Sequence, residues 1–177
     1  GESGTLLNSG HIDVSNTDIG GMGGTVHLLG EQVGLFRDAE VNASGHSGGG
    51  EVLVGGDLHG DGHAIPHAAH TYIGHDVVIH ADATHSGNGG TIVAWSDEIT
   101  QVYGSLSARG GQTFGDGGFI ETSSHGQLLV DRGGDVSAPA GHAGTWLLDP
   151  FNIRIVNTLA VYQVTEFSMP PFFTPTI

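Results

Sequence analysis

The 177-residue chain contains no cysteine. That excludes disulfide staples and thiolate metal sites. It contains no lysine either: the four basic residues are Arg37, Arg109, Arg132 and Arg154. A Schiff-base lysine, a Walker-type phosphate lysine and an intramolecular Lys–Asn isopeptide bond are therefore excluded. Nineteen Asp and Glu stand against the four arginines, for a formal net charge of −15. So few, unclustered cations do not grip a phosphate backbone or an anionic lipid surface, so no nucleic-acid partner is expected. No apolar run approaches the ~18 residues of a membrane helix, so no membrane insertion is expected. Gly1–Gly10 has neither the basic nor the apolar region of a signal peptide. Proline is scarce, at 6, and only 13% of residues are charged, about half the usual share.

Glycine is abundant, at 32 residues, without the G-X-Y period of collagen. The hydrophobic fraction of 37% is enough for a core. The glycines recur in an ordered phrase: Gly-Gly or Ala-Gly, one residue, then an apolar residue. It appears at Gly23-Gly24-Thr25-Val26, Gly49-Gly50-Glu51-Val52, Gly89-Gly90-Thr91-Ile92, Gly117-Gly118-Phe119-Ile120 and Ala143-Gly144-Thr145-Trp146. A second phrase, apolar-polar-small-polar, precedes each: it opens at Ile12, Val41, Ile79, Leu106 and Val136. Both series describe a unit of roughly 27 residues with one insertion of about ten, between Gly55 and Thr71.

Each unit holds short β-rich stretches separated by Gly, Asn, Asp and Ser, and no window keeps a 3.6-residue apolar period. The pattern predicts an all-β, right-handed parallel β-helix with coils of roughly 27 residues and about six coils in all. An antiparallel sandwich shares the short strands but does not need whole units to recur in register. Val26, Val52, Ile92, Ile120 and Trp146 are expected to form one interior ladder. Ile12, Val41, Ile79, Leu106 and Val136 form a second, with Ala43, Ala81, Ala108 and Ala138 at a tight corner. The glycine pairs read as turns that need positive φ.

Ordered phrases over Gly23–Ile155 carry a resemblance. GGTVHLLGEQVGLF, NASGHSGGGEVLVGGDLHGDG, TYIGHDVVIHADA, GNGGTIVAWSDEITQVYGSLSARGG and GDGGFIETSSHGQLLVDRGGDVSAPAGHAGTWLLDPFNIRI follow one another. This order resembles the filamentous-haemagglutinin-like exoproteins of bacterial two-partner secretion. The resemblance implies a long parallel β-helical surface protein, exported through an outer-membrane partner and acting as adhesin or fibre. The Asn-Pro-Asn motifs of that family's secretion module are not visible, so the chain reads as shaft. Its organisation reads as β-helix coils over residues 1–155, with a His-rich insertion at about 56–70, and an apolar non-repeat tail at 156–177. Tyr162, Phe167, Phe172 and Phe173 in that tail are candidate inter-subunit contacts, either folding over the last coil or pairing with a second copy. Coil ends expose unpaired strand edges, and no amphipathic helix is available to cap them, so homopolymerisation is expected.

Twelve histidines are the other unusual count. His59, Asp61, His63, His67 and His70 in the insertion form the candidate metal group, because imidazole with carboxylate suits Zn or Cu. Calcium is the alternative for a chain this acidic, although the β-roll nonapeptide is not repeated. No cofactor is required by any motif. Arg132-Gly133-Gly134-Asp135 has one glycine too many for an integrin motif and reads as a corner. Trp95, Tyr103, Phe114, Phe119 and Trp146 are candidates for sugar stacking. No nucleophile elbow and no paired-carboxylate set is present, so the chain is not expected to be an enzyme. The sequence reads as a structural segment of an extracellular bacterial fibre or adhesin. An adhesin module binding glycan or host protein is the alternative, distinguished by exposed aromatics grouped on one sheet, and a polysaccharide-acting β-helix enzyme stands behind both.

Overall fold

A computed structural model describes residues 4–60 and 65–150. The tail residues Tyr162, Phe167, Phe172 and Phe173, and Asp61 and His63 of the insertion, lie outside the described residues. Among these described residues, fourteen strands, numbered in chain order, form three parallel sheets. The first holds β1 (Thr5–Asn8), β4 (Gln32–Leu35), β7 (His70–Ile73), β10 (Ile99–Val102) and β13 (Gln127–Val130). The second holds β2 (His11–Asp13), β5 (Glu40–Asn42), β8 (Val78–His80) and β11 (Ser105–Ser107). The third holds β3 (Thr25–Leu28), β6 (Glu51–Val54), β9 (Thr91–Ala94), β12 (Phe119–Ser124) and β14 (Thr145–Pro150). The chain visits the sheets in rotation, so each turn lays one strand on each: a parallel β-helix. The five-stranded sheets give about five coils rather than six.

The repeat read in the sequence is the register of the third sheet. Val26 pairs with Val52, Val52 with Ile92, Ile92 with Ile120 and Ile120 with Trp146. In the second sheet Ile12, Val41, Ile79 and Leu106 pair in the same manner. In the first, Leu35, Ile73, Val102 and Val130 stack. Val33, Leu35, Val41, Val52, Val54, Ile73, Ile79, Ile92 and Ile120 are fully buried in one continuous bore. Each such side chain contributes about 1.5–3 kcal/mol, and no coil could bury its own.

Two expectations are corrected. Val136 does not continue the ladder of Leu106. Ser107 bridges Asp135, and the Ala108 N–H donates to the Asp135 carbonyl at 2.8 Å, so Val136 lies over Ala108. The small-residue corner is thus Val14, Ala43, Ala81, Ala108 and Val136, with valine where fewer coils crowd it. The shift is dictated by an Asx turn. Asp13, Asn42 and Asp135 each accept the backbone N–H of the serine two residues on, Ser15, Ser44 and Ser137.

The glycine pairs are also required for a different reason. None of them has positive φ; that conformation belongs to Gly20, Gly55, Gly60, Gly87 and Gly115. They are glycine because coils approach too closely for a Cβ. A methyl on Gly49 would overlap the Ala81 carbonyl, and one on Gly90 would overlap the Gly50 carbonyl. The same close approach closes each corner. Gly24, Gly50, Gly90, Gly118 and Gly144 donate their N–H to the carbonyls of Val14, Ala43, Ala81, Ala108 and Val136 at 2.7–2.9 Å.

Candidate functional site

The described residues of the insertion leave the bore after β6 and lie as a strap across the outer face of the third sheet. Its neck is closed by the Ala68 N–H donating to the Gly55 carbonyl at 2.6 Å. Gly55 turns at φ +82, and a short 3₁₀ turn follows at Leu58–Gly60. Gly56 and Gly60 press on the indole of Trp95, where a Cβ on either would strike the ring. Beneath the strap, Leu53, Val93 and Trp95 form a second apolar cluster with Ile65 packed against it. Leu53 and Val93 point away from the bore, and alternation along a strand would expose them to water. The strap is what buries them, and Trp95 is 2% exposed.

The strap reaches one coil further. Glu121 pairs in register with Val93 and is fully buried, at 0% exposure. One carboxylate oxygen accepts the His59 N–H at 3.1 Å. His59 Nδ1 lies 3.9 Å from the other oxygen. His59 holds this position at φ 58, a left-handed conformation unusual outside glycine.

At the strap's return, His67 Nε2 donates to Asp57 Oδ1 at 2.9 Å. The opposite ring nitrogen, Nδ1, faces Asp97 Oδ1 at 3.9 Å. His125 Nδ1 faces the same Asp97 oxygen at 3.2 Å and sets its ring edge-on to Trp95, with centroids 4.8 Å apart. His70 turns to Glu98, at 3.2 Å. Of the histidines singled out in the sequence, His59, His67 and His70 thus share no carboxylate: His59 faces Glu121, His67 faces Asp57 and Asp97, and His70 faces Glu98. Among the described residues, no group of three or more His, Asp or Glu side chains is placed to hold a metal ion.

Glu121 and His125 were not singled out by the sequence, and Asp97-Glu98 stood out there only as the one adjacent acidic pair. Their signal is positional. They lie on the coils that follow the insertion, at corner and outward positions that register places against it.

A second polar cluster sits at the corner of the second sheet. Asp82 is buried, at 5% exposure. It accepts the Arg109 N–H at 2.7 Å, Arg109 Nε at 3.1 Å, Arg109 Nη2 at 2.7 Å and the Ser107 hydroxyl at 3.1 Å. The hydrogen bond to Asp82 and its charge push the Arg109 pKa up. Arg109, Asp135 and Ser137 line a shallow groove of about 260 Å³ with Gln112 and Pro139. Asp82 pairs with this guanidinium through two of its nitrogens, so the cluster reads as a corner brace.

Aromatic residues collect on the outer face of the first sheet. Phe36 stacks on Tyr72 with centroids 5.0 Å apart, Tyr72 meets Tyr103 at 6.0 Å, and His75 stacks on Tyr103 at 4.7 Å. Burial pushes the hydroxyl pKa of both tyrosines up. Of the residues named for sugar stacking, Tyr103 belongs to this group. Trp95 is under the strap. Trp146 fills the end of the bore, its indole N–H on the Thr122 hydroxyl at 3.2 Å. Phe114 stands alone on a corner loop, exposed.

No protein-family model matches the chain, and no curated protein matches it. Among solved structures it is similar to the HMW1 secretion domain from Haemophilus influenzae, with a TM-score of 0.63 and 29% identity. The match covers 84% of this chain and 37% of that one, so the chain spans little more than a third of its neighbour's length. The likeness agrees with the resemblance read in the sequence and joins the parallel β-helix to a protein of secretion.

Proposed function

We propose that the chain is a structural segment of an extracellular bacterial fibre or adhesin shaft, built to continue end to end. One observation carries this reading: the same cross-section repeats in register through every coil. Among the described residues, β3 pairs only with β6, and β14 only with β12. Each end of the described stack therefore has edges suited to another coil of the same geometry. Export across the outer membrane through a dedicated partner fits the secretion-domain neighbour, and so does a surface location. The tail carrying Tyr162, Phe167, Phe172 and Phe173 is the proposed inter-subunit strand.

The charge of −15 opposes stacking at low salt, and screening relieves it. Sedimentation velocity over a wide dilution series, at low and at moderate salt, tests the reading. Species that lengthen with concentration and more so with salt support it. A single short species under every condition overturns it.

The aromatic group Phe36, Tyr72, Tyr103 and His75 favours a second reading, an adhesin face for glycan, because stacked rings beside Gln101 are what a sugar face needs. Glycan-array binding lost in Tyr103→Ala supports it, and an unchanged array profile removes it.

A further inference from the structure

We infer that Ala143 sets how tightly a second copy of this chain stacks on the last described coil, because its methyl group occupies space that the first corner of the incoming copy needs. This role rests on the fibre reading and names the contact that limits stacking.

Ala143 is the one departure from glycine at its place in the repeat. The first residue of each pair is Gly23, Gly49, Gly89 and Gly117 in the first four coils, and Ala143 in the fifth. Register holds all five in one column, because the strands that follow them pair. Thr25 lies beside Glu51, Glu51 beside Thr91, Thr91 beside Phe119 and Phe119 beside Thr145.

Each glycine of this column faces the coil after its own. A Cβ on Gly23 would meet the Ala43 carbonyl oxygen and the Gly50 nitrogen. On Gly49 it would meet the Ala81 oxygen and the Gly90 nitrogen, and on Gly89 the Ala108 oxygen and the Gly118 nitrogen. On Gly117 it would meet the Val136 oxygen and the Gly144 nitrogen. Every one of these contacts falls under 3.0 Å, a separation that real Cβ atoms essentially never show. The atoms struck are always the N–H and carbonyl that bond to each other across the corner of that next coil, at 2.7–2.8 Å.

The second glycine of each pair faces the other way. A Cβ on Gly50, Gly90, Gly118 or Gly144 would strike the carbonyl of Gly24, Gly50, Gly90 or Gly118 in the coil before. The first glycine thus makes room for the coil that follows, and it is present wherever a described coil follows. Alanine stands in the last described coil, exposed.

A second copy stacked on this end presents its own first corner, where the Gly24 N–H donates to the Val14 carbonyl at 2.9 Å. By the geometry of the other four coils, that bond is what the Ala143 methyl meets. Gly24 of the incoming copy brings no side chain against Gly144, so the obstruction is confined to one methyl at one corner. The strand edges of the three sheets still pair, but the junction between copies is weaker than any contact between coils of one chain. Fibre length then responds to dilution instead of being fixed.

Sedimentation velocity of the full chain at moderate salt, over one dilution series, compares the parent with Ala143→Gly, Ala143→Val and Ala140→Gly. Circular-dichroism melts establish that each variant folds. Ala143→Gly is expected to tighten association about 5–150-fold and so to give longer species at equal concentration. Ala143→Val is expected to leave single rods, and association equal to the parent's overturns the inference. Ala140→Gly removes a methyl from the turn of the same loop and is expected to match the parent. Lengthening equal to that of Ala143→Gly would make the effect one of loop freedom and overturn the inference. A parent that associates, with Ala143→Gly no tighter, overturns it and leaves the fibre reading standing. A parent that stays single while Ala143→Gly lengthens upholds the obstruction and removes the fibre reading for the native chain. Single rods in both overturn the two together.

Discussion

At the scale of single residues, the coil-to-coil contact decides which side chains are tolerated. Gly90→Ala drives a methyl into the Gly50 carbonyl. It is expected to cost about 1–3 kcal/mol, read as a drop of about 2–12 °C in a circular-dichroism melt. Gly20→Ala meets nothing within 4 Å and is expected to cost only its left-handed φ, about 1–2 kcal/mol. The Asx corners make a pH prediction. The Ser137 hydroxyl and N–H hold the Asp135 carboxyl below its ordinary value, and Ser15 does the same to Asp13. At Asp116 it is the His142 N–H that does so. Groups lowered in the folded state contribute stability above the unfolded value of about 3.9, and this is lost as pH falls below about 4. Melts should show that acid limb. Asp135→Asn, which keeps the oxygen acceptor as Asn42 does in its own coil, should make it shallower. An unchanged limb would mean that the corner carboxylates do not carry it. The recurring Asp/Asn-x-Ser was legible in the sequence at positions 13–15, 42–44 and 135–137. It was obscured because the middle coils replace it with His80-Ala81-Asp82 and Ser107-Ala108-Arg109, where Arg109 and Asp82 brace the corner instead.

At the scale of elements, the ladders were legible and the strap was not. Periodic spacing fixes which residues stack, so the ladder from Val26 to Trp146 is legible in the sequence alone. The ten-residue excess between Gly55 and Thr71 revealed an insertion without its direction. The direction follows from apolar residues at outward positions, Leu53 and Val93, which show only once register separates the two faces of each strand. The histidines misled for the same reason. Within the insertion they are close in sequence, yet His59 and His70 turn to carboxylates of later coils, Glu121 and Glu98, while His67 bonds Asp57 inside the strap. The burial makes a prediction: Trp95→Ala removes the centre of the outer cluster and is expected to cost about 3–5 kcal/mol. Chemical denaturation checks it. A cost under about 1 kcal/mol would show that the strap packs without its indole. Ile19→Ser, at an exposed corner position, is the matched substitution expected to change little.

At the scale of the whole molecule, five coils stacked at about 4.8 Å form a short rod whose sides and ends differ in chemistry. The sides carry the charge, the corner loops and the aromatic group on the first sheet. Among the described residues, the ends of the stack carry strand edges and partly filled bore, with Leu6 and Ile12 packed at one and Trp146 and Val136 at the other. Sides of like charge repel, whereas ends of matching geometry continue the same hydrogen bonds. On the proposed fibre reading, association is axial rather than lateral, and moderate salt is expected to lengthen rods before it bundles them. The most direct measurement is electron cryomicroscopy of the full chain at neutral pH and moderate salt. The account predicts unbranched filaments one β-helix wide, in which the strand spacing of about 4.8 Å runs uninterrupted across each junction between copies. Isolated short rods at every concentration, or copies joined side by side, would contradict it.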